Sequence, residues 1–224
     1  MTSREVSASA RRITDALLEG YGRTYAAEAG IRLRDTPQPL YQLLVLSHLL
    51  SARIRASVAV AAARALFADG MRTPRRMADA TWQQRVDALG RGGYRRYDER
   101  TSTQLGEGAH LVLDVWKGDL RRLRAEADGD GEVVRAGLQR VPGIGPAGAD
   151  IFVREVQDLW PETGFRAGAK GLQGAERLGL PTSPGTLAEL AHGRSRAGLA
   201  AALVRAALDR QVVETVRENA RARR

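Results

Sequence analysis

No cysteine occurs in the 224 residues, which excludes structural disulfides, thiolate zinc sites and any cysteine-ligated iron–sulfur cluster. Histidines number three and are scattered, so no metal site is expected and no cofactor is implied. Aromatic residues make up only 5% of the chain against a hydrophobic total of 43%. An interior led by Ala and Leu favours helices, because strand-preferring aromatic residues are scarce. The longest apolar run, residues 43–50, is interrupted by His48 and falls far short of the roughly 20 residues that cross a bilayer. Residues 1–12 are polar and unlike a secretory leader, so the expected location is the cytoplasm.

Lysine is also nearly missing. Lys117 and Lys170 are the only two, and arginine supplies almost all of a net charge of +9. Such an excess attracts polyanions and is the electrostatic footprint of nucleic-acid binding, although an arginine-rich composition has other origins too. Residues 53–124 hold 15 basic and 8 acidic side chains, whereas residues 125–224 hold 14 and 13. The length suits one large domain or two small lobes.

Apolar spacing and Gly/Pro punctuation predict helices throughout and no period-two alternation. A helical stretch at 4–29, broken near Gly20 and Gly22, precedes Thr36-Pro37-Gln38-Pro39. An almost wholly apolar helix at 40–52 follows, as expected in the middle of a bundle. Further helices are predicted at 56–68, 74–80, 81–89, 95–117, 119–126, 132–140, 149–159, 170–178 and 186–216, with Gly90-Arg91-Gly92-Gly93 and Asp128-Gly129-Asp130-Gly131 as loops and 221–224 as a fraying tail. Four regions emerge: an N-terminal segment to 37, a helical bundle at 38–130, a region at 131–181, and C-terminal helices at 182–224 that pack with the N-terminal segment.

The informative stretch is Leu138-Gln139-Arg140-Val141-Pro142-Gly143-Ile144-Gly145-Pro146-Ala147-Gly148-Ala149-Asp150-Ile151. Gly143 and Gly145 permit a hairpin whose backbone approaches another surface closely, with Ile144 anchored between them. A helix then starts at Pro146, and exposed N–H groups at a helix start bind phosphate without a cationic side chain. Leu138, Val141, Ala149 and Ile151 would hold the two helices together. Two glycines and a proline also suit an ordinary corner, but the whole pattern of apolar residues and glycines is more specific than that.

This segment resembles the helix-hairpin-helix motif of the endonuclease III-like glycosylases, the HhH-GPD superfamily. The likeness extends upstream to Leu43-Leu44-Val45-Leu46-Ser47-His48-Leu49-Leu50-Ser51-Ala52-Arg53 and downstream to Ala175-Glu176-Arg177-Leu178-Gly179-Leu180, spanning roughly residues 40–181. It implies an all-α, two-lobed helical fold that binds double-stranded DNA, turns a damaged base out of the duplex, and works as a monomer, associated with the nucleoid of a bacterial cell when DNA-bound. Val141, Pro142, Gly143, Ile144, Gly145 and Ala147 would contact DNA, and Arg53 would fill the gap left by the extruded base or serve simply as a surface arginine.

The same likeness exposes two departures. Ala147 stands where the lyase branch of the family carries its nucleophilic Lys, and Gly168 stands where the family carries an Asp that stabilises developing positive charge or activates the nucleophile. No carboxylate lies between Glu162 and Glu176. Substitutes are Lys170, one of the two amines, and Asp150, whose position suits the helix dipole. Glu155, Asp158 and Glu162 read as solvated faces or structural ion pairs, and Arg95-Arg96 and Arg121-Arg122 as phosphate contacts or exposed helix faces. Three readings stay open: a divergent repair protein impaired in glycosylase/AP-lyase chemistry, an active glycosylase with a non-standard catalytic residue, and a non-catalytic helical module that docks protein.

Overall fold

A computed structural model describes residues 7–191 and 193–222. Its helices are α1 (Ala8–Tyr21), α2 (Tyr25–Glu28), α3 (Pro37–Ser51), α4 (Ala56–Ala68), α5 (Pro74–Asp79), α6 (Trp82–Arg91), α7 (Asp98–Trp116), α8 (Arg121–Glu126), α9 (Gly131–Leu138), α10 (Pro146–Val156), α11 (Gly168–Leu178), α12 (Pro184–Leu190), α13 (Arg196–Leu208) and α14 (Arg210–Ala222), with one 3-10 turn at Pro161–Thr163. There is no strand among the described residues, so the chain is all-α.

Several helix ends differ from the sequence expectation, each for a local reason. Pro37 and Pro39 belong to the first turn of α3, where a missing N–H breaks no intrahelical bond. Gly90 and Arg91 form the last turn of α6 and only Gly92 caps it. The predicted 186–216 helix is three helices. Asp209, in extended conformation, separates the last two, and Ser183 and Ser195 cap the starts of α12 and α13 through their hydroxyls. Of the predicted tail, Arg221 and Ala222 continue α14, while residues 223–224, like residues 4–6 of the first predicted helix, lie outside the described residues.

Contacts gather the chain into two compact units. One combines the segment up to Thr24 with the segment from Arg154 onward; the other is the continuous stretch Tyr25–Val153. By sequence the first carries 16 basic and 11 acidic residues and the second 19 and 15, so both units share the positive excess.

In the discontinuous unit, α11 packs on α13 and α1 packs on both α13 and α14. A Cβ placed on Gly174 of α11 would overlap the Leu203 carbonyl of α13. The two backbones therefore touch directly, an approach open only to glycine. Around that contact Leu17, Leu187, Leu199, Leu203 and Val216 are fully buried. Asp158 fixes the start of α13, accepting from the Ser195 hydroxyl at 2.6 Å and from the Arg196 amide at 2.8 Å. Asp158 is thus an exposed cap of α13, whereas Glu155 is buried and not on a solvated face.

In the continuous unit, α3 is buried at every residue from Leu40 to Leu49, as an all-apolar helix in the middle of a bundle must be. It packs on α4, α4 on α6, and α7 against α5 and α6. Arg85 of α6 is buried, and its guanidinium donates to the carbonyls of Ser102 (2.8 Å), Met77 (3.0 Å) and Ala80 (2.6 Å). This cation holds the α5–α6 and α6–α7 seams; desolvation lowers its pKa from the ordinary arginine value.

Candidate nucleic-acid interface

Within the continuous unit, α9, the turn at 139–145 and α10 as far as Val153 form a helical hairpin. Val141 and Ile144 are each 4% exposed and Leu138 and Ala149 are fully buried, so the turn is pinned by its apolar residues. Its main chain is tightened by hydrogen bonds from the Val141 amide to the Leu138 carbonyl and from the Ile144 amide to the Val141 carbonyl, both 3.0 Å. On the other side Gly145, Pro146 and Ala147 are exposed. Among the described residues, the amides of Gly145, Ala147 and Gly148 have no acceptor within the chain, whereas Ala149 donates to the Gly145 carbonyl at 3.0 Å. Gly148 is buried, so two N–H groups at the start of an eleven-residue helix, those of the exposed Gly145 and Ala147, are open to an external anion at the positive end of the helix dipole.

The two glycines of the turn do different work. Gly143 has a φ of +83°, and a Cβ there would overlap the imidazole of His48 and lie 2.9 Å from the side-chain oxygen of Gln104. Gly145 has open space around it. The first glycine lets the turn sit down on α3 and α7; the second leaves its outer face bare.

His48 is the support that sequence reasoning missed. It is buried near the C-terminal end of α3, and its Nε2 lies 3.3 Å from Gln104 Oε1 of α7. Burial depresses its pKa from 6.5 to about 4, the nearby Arg100 charge acting in the same direction and the Gln104 hydrogen bond opposing. The imidazole is therefore neutral at pH 7 and serves as a flat polar shelf under Gly143. The interruption of an apolar helix by one histidine was its only signal in the sequence; Gln104 left none. Gly108 of α7 completes the seat, since a Cβ there would come within 3.0 Å of Val141 Cγ1.

Arg53 is brought to the same neighbourhood. It follows the end of α3, exposed, and a Cβ on Gly148 would lie 3.6 Å from Ser51 Cβ, so the C-terminal end of α3 and the start of α10 are adjacent. Asp150 sits one turn into α10, half-exposed, 2.6 Å from Arg135 Nε of α9. That approach lacks good N–H alignment and is a charge contact that ties the two hairpin helices together. Arg140 stacks on the Trp116 ring at 5.8 Å and Arg96 on the Tyr97 ring at 5.2 Å. Arg121 is held by Asp119, with its Nε 2.9 Å from Oδ1, so it is a paired surface arginine. Arg95 and Arg122 are exposed.

Gly168 and Lys170 lie in the other unit. Gly168 begins α11 with a φ of +68°, and a Cβ there would meet nothing within 4 Å. Lys170 stands on the exposed face of the first turn of α11, not on a flexible loop, and donates to Gln173 Oε1 at 3.1 Å. Among the described residues no cluster of His, Asp and Glu could hold a metal ion, and no helix is long and apolar enough to cross a membrane.

No family model matches the chain and no curated protein matches it in sequence. Its fold is similar to that of endonuclease III in a trapped covalent intermediate with DNA, an estranged-adenine complex: the TM-score is 0.51 at 15% identity, covering 87% of this chain and 83% of the other. The chain thus has a helical fold of the HhH-GPD kind.

Proposed function

We propose that this chain is a base-excision-repair-type protein that binds duplex DNA through the main-chain amides of Gly145 and Ala147 and is impaired in the glycosylase/AP-lyase chemistry of endonuclease III. The observation that carries the reading is the pinned turn with its outward face bare: two exposed amides, of Gly145 and Ala147, without an internal acceptor at the start of α10, on a base of buried Val141 and Ile144. Such a surface grips a phosphate by position and reads no base. Likeness of fold to a protein solved on DNA supports the same reading.

Arg53, exposed beside the start of α10, is the side chain positioned to enter a duplex from which a base has been turned out. Ala147 offers no amine in the hairpin, and Gly168 no carboxylate. Lys170, hydrogen-bonded to Gln173 on an exposed helix face, lacks the apolar pocket or neighbouring base that activates an amine nucleophile. Binding without turnover follows.

Fluorescence anisotropy with a short labelled duplex tests this. Salt-sensitive binding with little sequence preference is expected, and Gly145→Val, which fills the open side of the turn, should weaken it about ten- to hundredfold, the loss of one charge-assisted hydrogen bond. Unchanged affinity in that variant overturns the proposal. Base release or strand nicking above buffer on duplexes carrying uracil, oxidised, alkylated or abasic lesions would overturn the impairment while leaving the binding mode intact.

A further inference from the structure

A second concave surface of the continuous unit lies at the opposite end of α3 from the hairpin. Arg32, from the segment after α2, Arg64 of α4 and Arg72 beyond its C-terminus line it together with Gln38 and Gln42 of α3, over a floor that includes the buried Phe67. No carboxylate lines it. The empty space is about 800 Å³ with its mouth included, room for a multi-atom anion.

Two of the arginines are oriented without being neutralised. Arg72 Nε donates to the Phe67 carbonyl at 2.7 Å, and Arg64 Nη2 donates to the Glu28 carbonyl. Each uses one of its five N–H groups on a neutral acceptor and keeps its full charge and the remaining donors. A fixed guanidinium with free donors matches the paired oxygens of a phosphate, and less ordering entropy is lost when a ligand arrives. The first turn of α3 adds the positive end of its dipole, with no side-chain cap from Thr36, while Pro37 and Pro39 bring no N–H donor, so the arginines and glutamines supply the donors.

We infer that this pocket is a phosphate-binding site for a diphosphate or for two successive phosphates of a nucleic-acid backbone. Three cations from three separate segments, with no acid among them, exceed what a single phosphate needs. From Gln38 to Ser51 is thirteen residues of helix, about 20 Å at 1.5 Å per residue, so the site is distinct from the Gly145 and Ala147 amides and does not depend on their role.

Isothermal titration calorimetry of the full chain with sodium pyrophosphate, at ionic strength held constant with chloride, tests the site. Saturable binding is expected, falling at least tenfold in Arg32→Glu and in Arg72→Gln. Arg32 is exposed, so its variant should keep the wild-type melting temperature; Arg75→Glu, equally exposed on α5, controls for net charge. Duplex anisotropy on the same variants separates the two sources. Reduced duplex affinity with a shallower salt dependence, relative to Arg75→Glu, assigns the site to DNA backbone; lost pyrophosphate binding with unchanged duplex affinity assigns it to a free diphosphate. The inference is overturned if neither ligand distinguishes Arg32→Glu and Arg72→Gln from Arg75→Glu.

Discussion

Gly143 and Gly145 are two residues apart in one turn, yet substitution should separate them completely. At Gly143, alanine must adopt a left-handed backbone at φ +83°, which costs about 1–2 kcal/mol for a residue with a Cβ. The new methyl must also displace the His48 imidazole, which is buried and packed against Gln104, an overpacking cost of about 1–3 kcal/mol. Together these predict a loss of about 2–5 kcal/mol, a melting temperature lower by about 5–15 °C for a chain of this size. At Gly145 there is no positive φ and nothing within 4 Å of an added Cβ, so alanine should cost less than about 1 kcal/mol. Urea unfolding and thermal melts of the two single variants measure the contrast, and duplex anisotropy on Gly145→Val then reads DNA contact in a protein that is still folded. A double Gly143→Val, Gly145→Val variant would confuse the two effects. Equal destabilisation by the two alanines would refute the argument, because it would mean that the turn does not sit on His48 as described.

Stability should fall on mild acidification through His48. Its folded pKa of about 4 lies below the unfolded 6.5, so its contribution is fully present above pH 6.5 and is lost as pH falls from 6.5 towards 4, up to about 3 kcal/mol; urea titrations between pH 7 and 5 should show the slope in wild type and a flatter one in His48→Gln. Arg85→Met should destabilise by about 3 kcal/mol or more, since it leaves the Met77, Ala80 and Ser102 carbonyls without their donor; a melt within about 2 °C of wild type would contradict the role given to this cation. Gly168→Asp should fold with a loss of about 1–2 kcal/mol, because its Cβ has room and only the φ of +68° opposes it. Borohydride treatment of wild type with abasic duplex should trap no covalent adduct, and a trapped species that disappears in Lys170→Ala would identify Lys170 as a nucleophile after all.

Helix identity was legible because α3, α4 and α7 carry their burial in their composition: residues 56–68 were readable to the residue from an Ala-rich run between Arg55 and Asp69. Helix ends were less so where Pro or Gly has two uses, as at Pro37, which opens α3, and Gly90, which α6 absorbs. The break at Asp209 left almost no trace, since Val212, Val213 and Val216 carry the apolar spacing of the Ala- and Leu-rich α13 onward across a single extended residue. For the candidate site, the hairpin's shape followed from Val141, Ile144 and the glycines. What lies beneath did not: His48 and Gln104 meet from segments 56 residues apart, and no local pattern encodes such a pairing. The arginine pocket was hidden for the same reason, because Arg32, Arg64 and Arg72 converge only once α2, α3 and α4 are packed.

Because α1 belongs with α13 and α14 while the whole stretch Tyr25–Val153 lies between them in the chain, the order of synthesis matters. From Ala8 to Arg196 there are 188 residues, and at about 5–20 residues per second the ribosome delivers the partner of α1 some 10–40 s after α1 itself. Through that interval Leu17 and Ala16 have no neighbours to cover them. The continuous unit can assemble meanwhile, so the nascent chain carries a formed hairpin before the remaining unit can close, and a chaperone that shields a short amphipathic helix would have its longest opportunity there.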